Sequence, residues 1–170
     1  ALGSMVGMVT GFVNSDTLAS ATSGTATFTT NATSTSNVGN YAINGSGLTS
    51  NSGNYVFAQA ASNSTALAVT PATLTISALA ASKTYDGRAY AGGNGVGYAG
   101  FRNADTDADL TGTLAFTGTS QGATNAGSYV LTPGGLSSGN YALSFVNGTL
   151  TIGKAALTLQ AADANRVYGS

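Results

Sequence analysis

The chain has 170 residues, 24 of them glycine, with five basic and six acidic side chains and a formal net charge of −1. Every acid is aspartate, and Glu, His, Cys and Trp are absent; this removes imidazole and thiolate nucleophile chemistry and glutamate acid–base catalysis. So few Lys and Arg leave no electrostatic footprint for nucleic acid or for insertion at an anionic membrane.

Hydrophobic residues make up 42 % of the chain, enough for a packed core and more than disordered segments carry. Apolar runs are broken by Thr, Ser, Asn and Gly well short of the roughly 20 residues that span a bilayer. The opening ALGSMVGMVT has neither the basic start nor the continuous apolar segment of a secretion signal. Missing cysteines fit a reducing compartment and also fit bacterial surface proteins that dispense with disulfides. The abundance of small hydroxyl and amide side chains, nearly without charge, favours the exported repeat.

In chain order, the apolar period is two, the strand signature. Asp16, in GFVNSDT (11–17), is placed to cap a single helical turn. Ala26 and Phe28 then alternate with Thr25, Thr27 and Thr29, a half-buried strand whose outward threonines suit a pleated, wet surface. Tyr41 and Tyr55 each follow a Gly and a small polar residue and are expected to anchor a core, each hydroxyl finding a backbone partner. Leu74, Ile76 and Ala78 alternate with Thr73, Thr75 and Ser77. In the TYDG that follows, Tyr85 is expected to anchor the core and Gly87 to take a positive φ, with Tyr168 repeating the role of Tyr85.

Further along, Asp105 stands where Asp16 did, before a helical turn expected to end at Gly112. Leu114 and Phe116 form a strand face, Tyr129 and Tyr141 repeat the anchoring tyrosines, and Tyr141, Leu143 and Phe145 alternate with Ala142, Ser144 and Val146. Turns are expected at Pro133–Gly135, Ser138–Gly139 and Asn147–Gly148, the last a tight hairpin with two positive φ angles. Each unit then has five or six strands.

Two copies of one unit account for this symmetry. GFVNSDT (11–17) recurs as GFRNADT (100–106), SGTATFTT (23–30) as TGTLAFTG (111–118), GNYAINGSGL (39–48) as GSYVLTPGGL (127–136), and SGNYVF (52–57) as SGNYAL (138–143). TPATLTISALAASKTYDG (70–87) aligns without a gap to GKAALTLQAADANRVYGS (153–170). The offset falls from 89 residues to 83 along the alignment, so the first copy has the longer loops.

The order KTYDG, GF with NxDT, AGSY, then PGGLSSGNYALSFVNGTLTIGKA resembles the MBG and YDG repeat modules of large bacterial surface adhesins, including filamentous-haemagglutinin-like exoproteins. The resemblance covers 70–170 and a degraded copy over 6–69. It implies a mainly β fold of two tandem small modules, β-grasp-like with a one-turn helix; an Ig-like β-sandwich and then a parallel β-helix are the alternatives. It also implies a secreted protein on the surface of a Gram-negative bacterium, with no catalytic residue and no cofactor.

The expected division is a first module at 1–69, its opening strand missing or supplied by 70–87, a second at 70–152, and 153–170 as the opening strand of a following module. Adjacent modules of the same chain are the expected partners. An open edge and a spare strand in one chain also allow strand exchange between molecules through 153–170.

Among candidate sites, Asp105, Asp107 and Asp109 alternate beside Asn103, a density of oxygen ligands that could hold calcium. The competing reading is a helix cap with solvated acids, since the bidentate Glu of a calcium loop is absent and the first copy keeps only Asp16. Lys83 and Asp86, with Arg166 in the matching place, raise the idea of a cross-link, but no glutamate is present to catalyse one. Two functions follow: a structural stalk that carries a binding region away from the cell, or an adhesive module binding host glycan or another surface ligand directly, for which the divergent loop at 51–65 is the place where the copies differ.

Overall fold

The computed structural model describes residues 3–169; residues 1 and 2 of the expected first module and residue 170 of the closing segment lie outside it. The chain forms two compact units. The first runs to Thr73 and includes 102–105 and 138–142; the second comprises 74–101, 106–137 and the chain from Leu143 onward.

The first unit holds α1 (Leu18–Ala21), β1 (Thr22–Thr29), β2 (Gly39–Tyr41), β3 (Asn44–Ser50), a 3-10 turn at Ala61–Thr65, and β4 (Leu67–Val69). β1 pairs antiparallel with β3 from Thr22↔Ser50 to Thr29↔Asn44, with a bulge between Gly24 and Thr27. β2 pairs antiparallel with β4, Gly39 opposite Val69. The alternation read from the sequence is present: Ala26 and Phe28 are half-buried and the threonines beside them exposed.

The second unit holds most of β5 (Ala72–Ala78) and β10 (Tyr141–Val146), together with β6 (Ala81–Thr84), β7 (Val96–Ala99), a 3-10 turn at Asp107–Asp109, β8 (Thr111–Thr117), β9 (Gly127–Ser137) and β11 (Gly148–Gly153). One sheet has the order β6-β11-β9-β8, the other β10-β5-β7. β6 lies parallel to β11, while β9 is antiparallel to both β11 and β8, and β7 to β5. Leu131, Leu150 and Ile152 are buried with Ala81 and Ala123, against half-buried Phe116, Tyr90 and Tyr129. Leu74 and Ile76 of β5 are 0 % exposed. Burying apolar surface of this kind is the main favourable term in folding. The protein is therefore mainly β, in two tandem copies with several small sheets, and its helix is one short turn.

The copies differ in completeness. β2 and β3 together correspond to β9, and β4 to β11, but residues 6–10 and 54–60 form no strand where the second copy has β7 and β10. The reason is β5. It is the middle strand of its sheet, so each flank obtains its backbone partners from it, and a flank alone has no ladder to join. No counterpart of β5 or β6 occurs on the first unit among the described residues. Hence, among the described residues, the first copy has four strands, β1–β4, and the second has seven, against the five or six expected of each.

Several local expectations are corrected. Pro133–Gly135 is not a turn but lies within the eleven-residue β9. There β9 passes from β11, which covers 127–131, to β8, so Pro133 sits where the strand has a partner on one side only, and its missing N–H costs no ladder bond. Asn147–Gly148 is not a two-residue hairpin: β10 and β11 belong to different sheets, and neither residue has a positive φ. Tyr85 is 44 % exposed and Tyr168 fully exposed, so neither anchors a core, although Gly87 does take φ 72°. On β10 the alternation ends at Leu143, because Phe145 is exposed.

Candidate functional site

The constellation repeated most closely in both copies is a tight turn, an aspartate and a tyrosine. Val13–Asp16 and Arg102–Asp105 each turn through two consecutive left-handed residues, Asn14 and Ser15 or Asn103 and Ala104, all four with φ of 52° or 66°. The Asp N–H donates back to the first carbonyl at 3.0 Å from Asp16 to Val13 and 2.8 Å from Asp105 to Arg102. Paired positive φ angles of this kind define the tightest reversal, which asparagine tolerates at its first position.

That reversal aims the carboxylate at a tyrosine. The Tyr55 hydroxyl donates to Asp16 Oδ2 at 2.6 Å and accepts from the Val13 N–H at 3.2 Å. The Tyr141 hydroxyl donates to Asp105 Oδ2 at 2.7 Å and accepts from the Arg102 N–H at 2.8 Å. The phenol of Tyr55 is held above its ordinary pKa first by the hydrogen bond to Asp16. For Tyr141 burial is the leading cause and the Asp105 bond the second. Both shifts favour the neutral, donating phenol. Phe12 adds an edge-on ring contact to Tyr55, centroids 5.7 Å apart.

The helical turns start one residue later than expected. Thr17 and Thr106 are the caps: the Thr17 side chain accepts from the Ser20 N–H, and the Thr106 side chain from the Ala108 N–H. The third helical residue answers each, since Ser20 Oγ accepts from the Thr17 N–H at 2.9 Å and Asp109 Oδ2 from the Thr106 N–H at 2.8 Å. The second turn stops at Asp109, well before Gly112. Asp16 and Asp105 are therefore freed from capping to hold the tyrosines.

The calcium candidates are placed accordingly. Asp105 takes the Tyr141 hydroxyl, Asp109 takes the Thr106 backbone, and Asp107 lies in the first turn of the 3-10 segment. Among the described residues no group of three or more acidic, His or Cys side chains is placed to hold a metal ion. Lys83 forms an ion pair with Asp86 at 2.7 Å and donates to the Arg88 carbonyl at 2.9 Å. Lys83 holds the Asp86 carboxyl below its usual range, helped by the Arg88 N–H.

Beside Asp105 and Tyr141 the first unit has an open, mixed-polarity cleft that also takes in Arg102, Asn37 and Asn140. Asn140 Oδ1 accepts from the Val38 N–H at 2.9 Å, and its Nδ2 donates to Asn37 Oδ1 at 2.9 Å. Amides elsewhere act similarly: Gln59 bonds both backbone groups of Gly45, and Gln121 both of Gly92. Tyr41 donates to the Asn37 carbonyl and Tyr129 to that of Asn125, as the sequence leads one to expect. These polar side chains hold backbone segments in place, and the sequence holds no imidazole, thiol or glutamate to activate the phenols.

Sequence reasoning singled out both tyrosines and both aspartates but did not join them. The available signal was their recurrence, with separations of 39 and 36 residues. Gln59 gave none, because its place in the second copy is taken by Phe145.

The model of the MBG domain (YGX type) matches residues 2–65 and again 74–151, most of the chain. The chain belongs to the MBG domain family. Its two matches coincide with the two copies of the tyrosine–aspartate constellation, so that geometry is part of how this MBG repeat is built. A solved structure of a cell surface adhesin from Lactobacillus reuteri is similar at 26 % identity, over 51 % of this chain and 100 % of that one, with a TM-score of 0.34. Comparison with curated proteins finds no match.

Proposed function

We propose that these MBG repeats are a stalk segment of a secreted bacterial adhesin, extending a binding region from the surface of a Gram-negative cell. The observation that carries this reading is the duplication itself, with polar side chains of each copy hydrogen-bonded within the fold. Tyr55–Asp16, Tyr141–Asp105, Gln59–Gly45 and Asn140–Val38 all join one part of the fold to another. A repeat whose amides and carboxylates are engaged in this way supports length by stacking more of itself and offers little for a ligand to grip. The near absence of charge limits non-specific adsorption along such a stalk. Membership of the MBG family agrees with a structural, non-enzymatic role, as does the lack of any His, Cys or Glu.

Direct glycan binding is the second reading, favoured by the longer loop of the first copy. Within it the 3-10 turn Ala61–Thr65 is tied to itself, Asn63 donating to Gln59 and Ser64 to the Ala61 carbonyl, which leaves fewer groups for a sugar. The labelled chain on a glycan array separates the two readings. A stalk gives no reproducible binding, and saturable binding lost on shortening 51–65 would establish the adhesive reading instead.

A further inference from the structure

A strand that changes partners part-way leaves backbone groups facing outward at the crossing, and the two copies deal with those groups differently. In the second copy β9 passes from β11, whose pairing reaches Leu131 opposite Gly148, to β8, which faces it from Thr132 onward. The next residue, Pro133, stands opposite Phe116 and has no N–H to leave open.

In the first copy Ile43 and Gly45 hold the places of Leu131 and Pro133, and both carry an N–H. β4 pairs only as far as Tyr41, opposite Leu67, while β1 faces Gly45 through Phe28. Residues 59–65 serve the rest of that edge. The Ile43 N–H donates to the Asn63 carbonyl at 2.9 Å. The Gly45 N–H donates to Gln59 Oε1 at 3.0 Å, and Gln59 Nε2 donates to the Gly45 carbonyl at 2.7 Å. A side-chain amide has the donor and acceptor of a peptide group, so Gln59 makes with Gly45 the two-way exchange that an opposed residue of an antiparallel strand makes. Asn63 Nδ2 donates to Gln59 Oε1 at 2.9 Å and fixes which way the amide lies. The change of residue types is reciprocal: Gly45 and Gln59 in one copy are Pro133 and Phe145 in the other.

We infer that the segment 59–65 is a built-in cover for the outer edge of β3, with the Gln59 amide standing in for a strand. β1 and β3 carry no charged residue, so this edge has none of the lysines that keep free strands from pairing with other chains. With Gln59 removed, the N–H and C=O of Gly45 match the same groups of a second copy across a two-fold axis, as in a hydrogen-bonded antiparallel pair. Gln59 closes that edge from within the chain, and Pro133 closes its counterpart by having nothing to offer. The inference rests on hydrogen bonds inside the first unit and is independent of the stalk reading.

Gln59 is exposed, so water takes over its bonds in a Q59A variant and the fold is expected to survive the change. Amide exchange read by NMR in dilute protein, with light scattering over a range of concentrations, tests the cover. In Q59A the Gly45 amide should exchange at least about tenfold faster than in the unchanged chain, while the amides of β1 keep their rates. The mean mass of Q59A should also rise more steeply with concentration. Adding G45P, which removes the N–H as Pro133 does, should return the mass curve to that of the unchanged chain. Four results would each overturn the inference: a Gly45 amide indifferent to Q59A, a mass curve that Q59A leaves unaltered, association that persists with G45P, or protection lost throughout β1 and β3. The last would make Gln59 a support of the fold and not an edge cover.

Discussion

Tyr141 and Tyr55 occupy equivalent places but unequal surroundings. Tyr141 is buried and Tyr55 half-buried, so removing the hydroxyl strands Asp105 and the Arg102 N–H further from water than Asp16 and the Val13 N–H. Tyr141→Phe is expected to lower the melting temperature more than Tyr55→Phe, and scanning calorimetry of both variants at neutral pH measures the order. The pH dependence has a definite sign. Both phenols are held above their ordinary pKa in the folded chain, Tyr55 first by its hydrogen bond to Asp16 and Tyr141 first by burial. Their contribution is complete below pH 10, where folded and unfolded chains are both protonated, and falls as pH rises and the unfolded chain releases its proton first. Replacing both tyrosines by phenylalanine should flatten the loss of stability above pH 10.

At this scale the sequence located the tyrosines and the aspartates but misassigned the aspartates as caps. Thr17 and Thr106 are equally good caps, one residue on, and only the left-handed turn at Asn14–Ser15 and Asn103–Ala104 decides between them. No glycine marks the second position of that turn, so its geometry left no trace in composition.

Glycines in the strands follow a bulge logic instead of a turn logic. β1–β3 and β8–β9 carry the same bulge, after Gly24 and after Gly112. At the second, Gly112 and Gly135 both have positive φ, and a Cβ on Gly135 would collide with the Thr113 carbonyl oxygen. Gly24 and Gly47 repeat the arrangement. Gly134, one residue away, has no such φ and open space around its Cβ position. Gly135→Ala is therefore expected to destabilise by more than about 1 kcal/mol, and Gly134→Ala to be neutral or slightly stabilising; urea melts of the two variants measure the contrast. The run of Pro and two Gly in β9 was legible as special backbone but not as the right kind, since a bulge and a turn call for the same residues. Strand faces were easier. Leu74, Ile76, Leu114 and Phe116 all turn inward as their alternation requires, because a period of two admits one assignment of faces.

For the molecule as a whole, duplication was the most legible feature, because it survives every local misreading. What the sequence left open was where the segment at 70–87 belongs, since pairing is non-local and either neighbour could use it. Its strands join β7, β10 and β11, so the second copy has its middle strand, while among the described residues none stands in that place in the first. Hydrogen exchange read by mass spectrometry of dilute protein tests this most directly. In dilute solution the amides of β5, β9 and β11 should be strongly protected while 6–10, 54–60 and 155–161 exchange freely. Dilute protein in which 54–60 is as protected as β10, or in which β5 exchanges as fast as 155–161, would contradict the account.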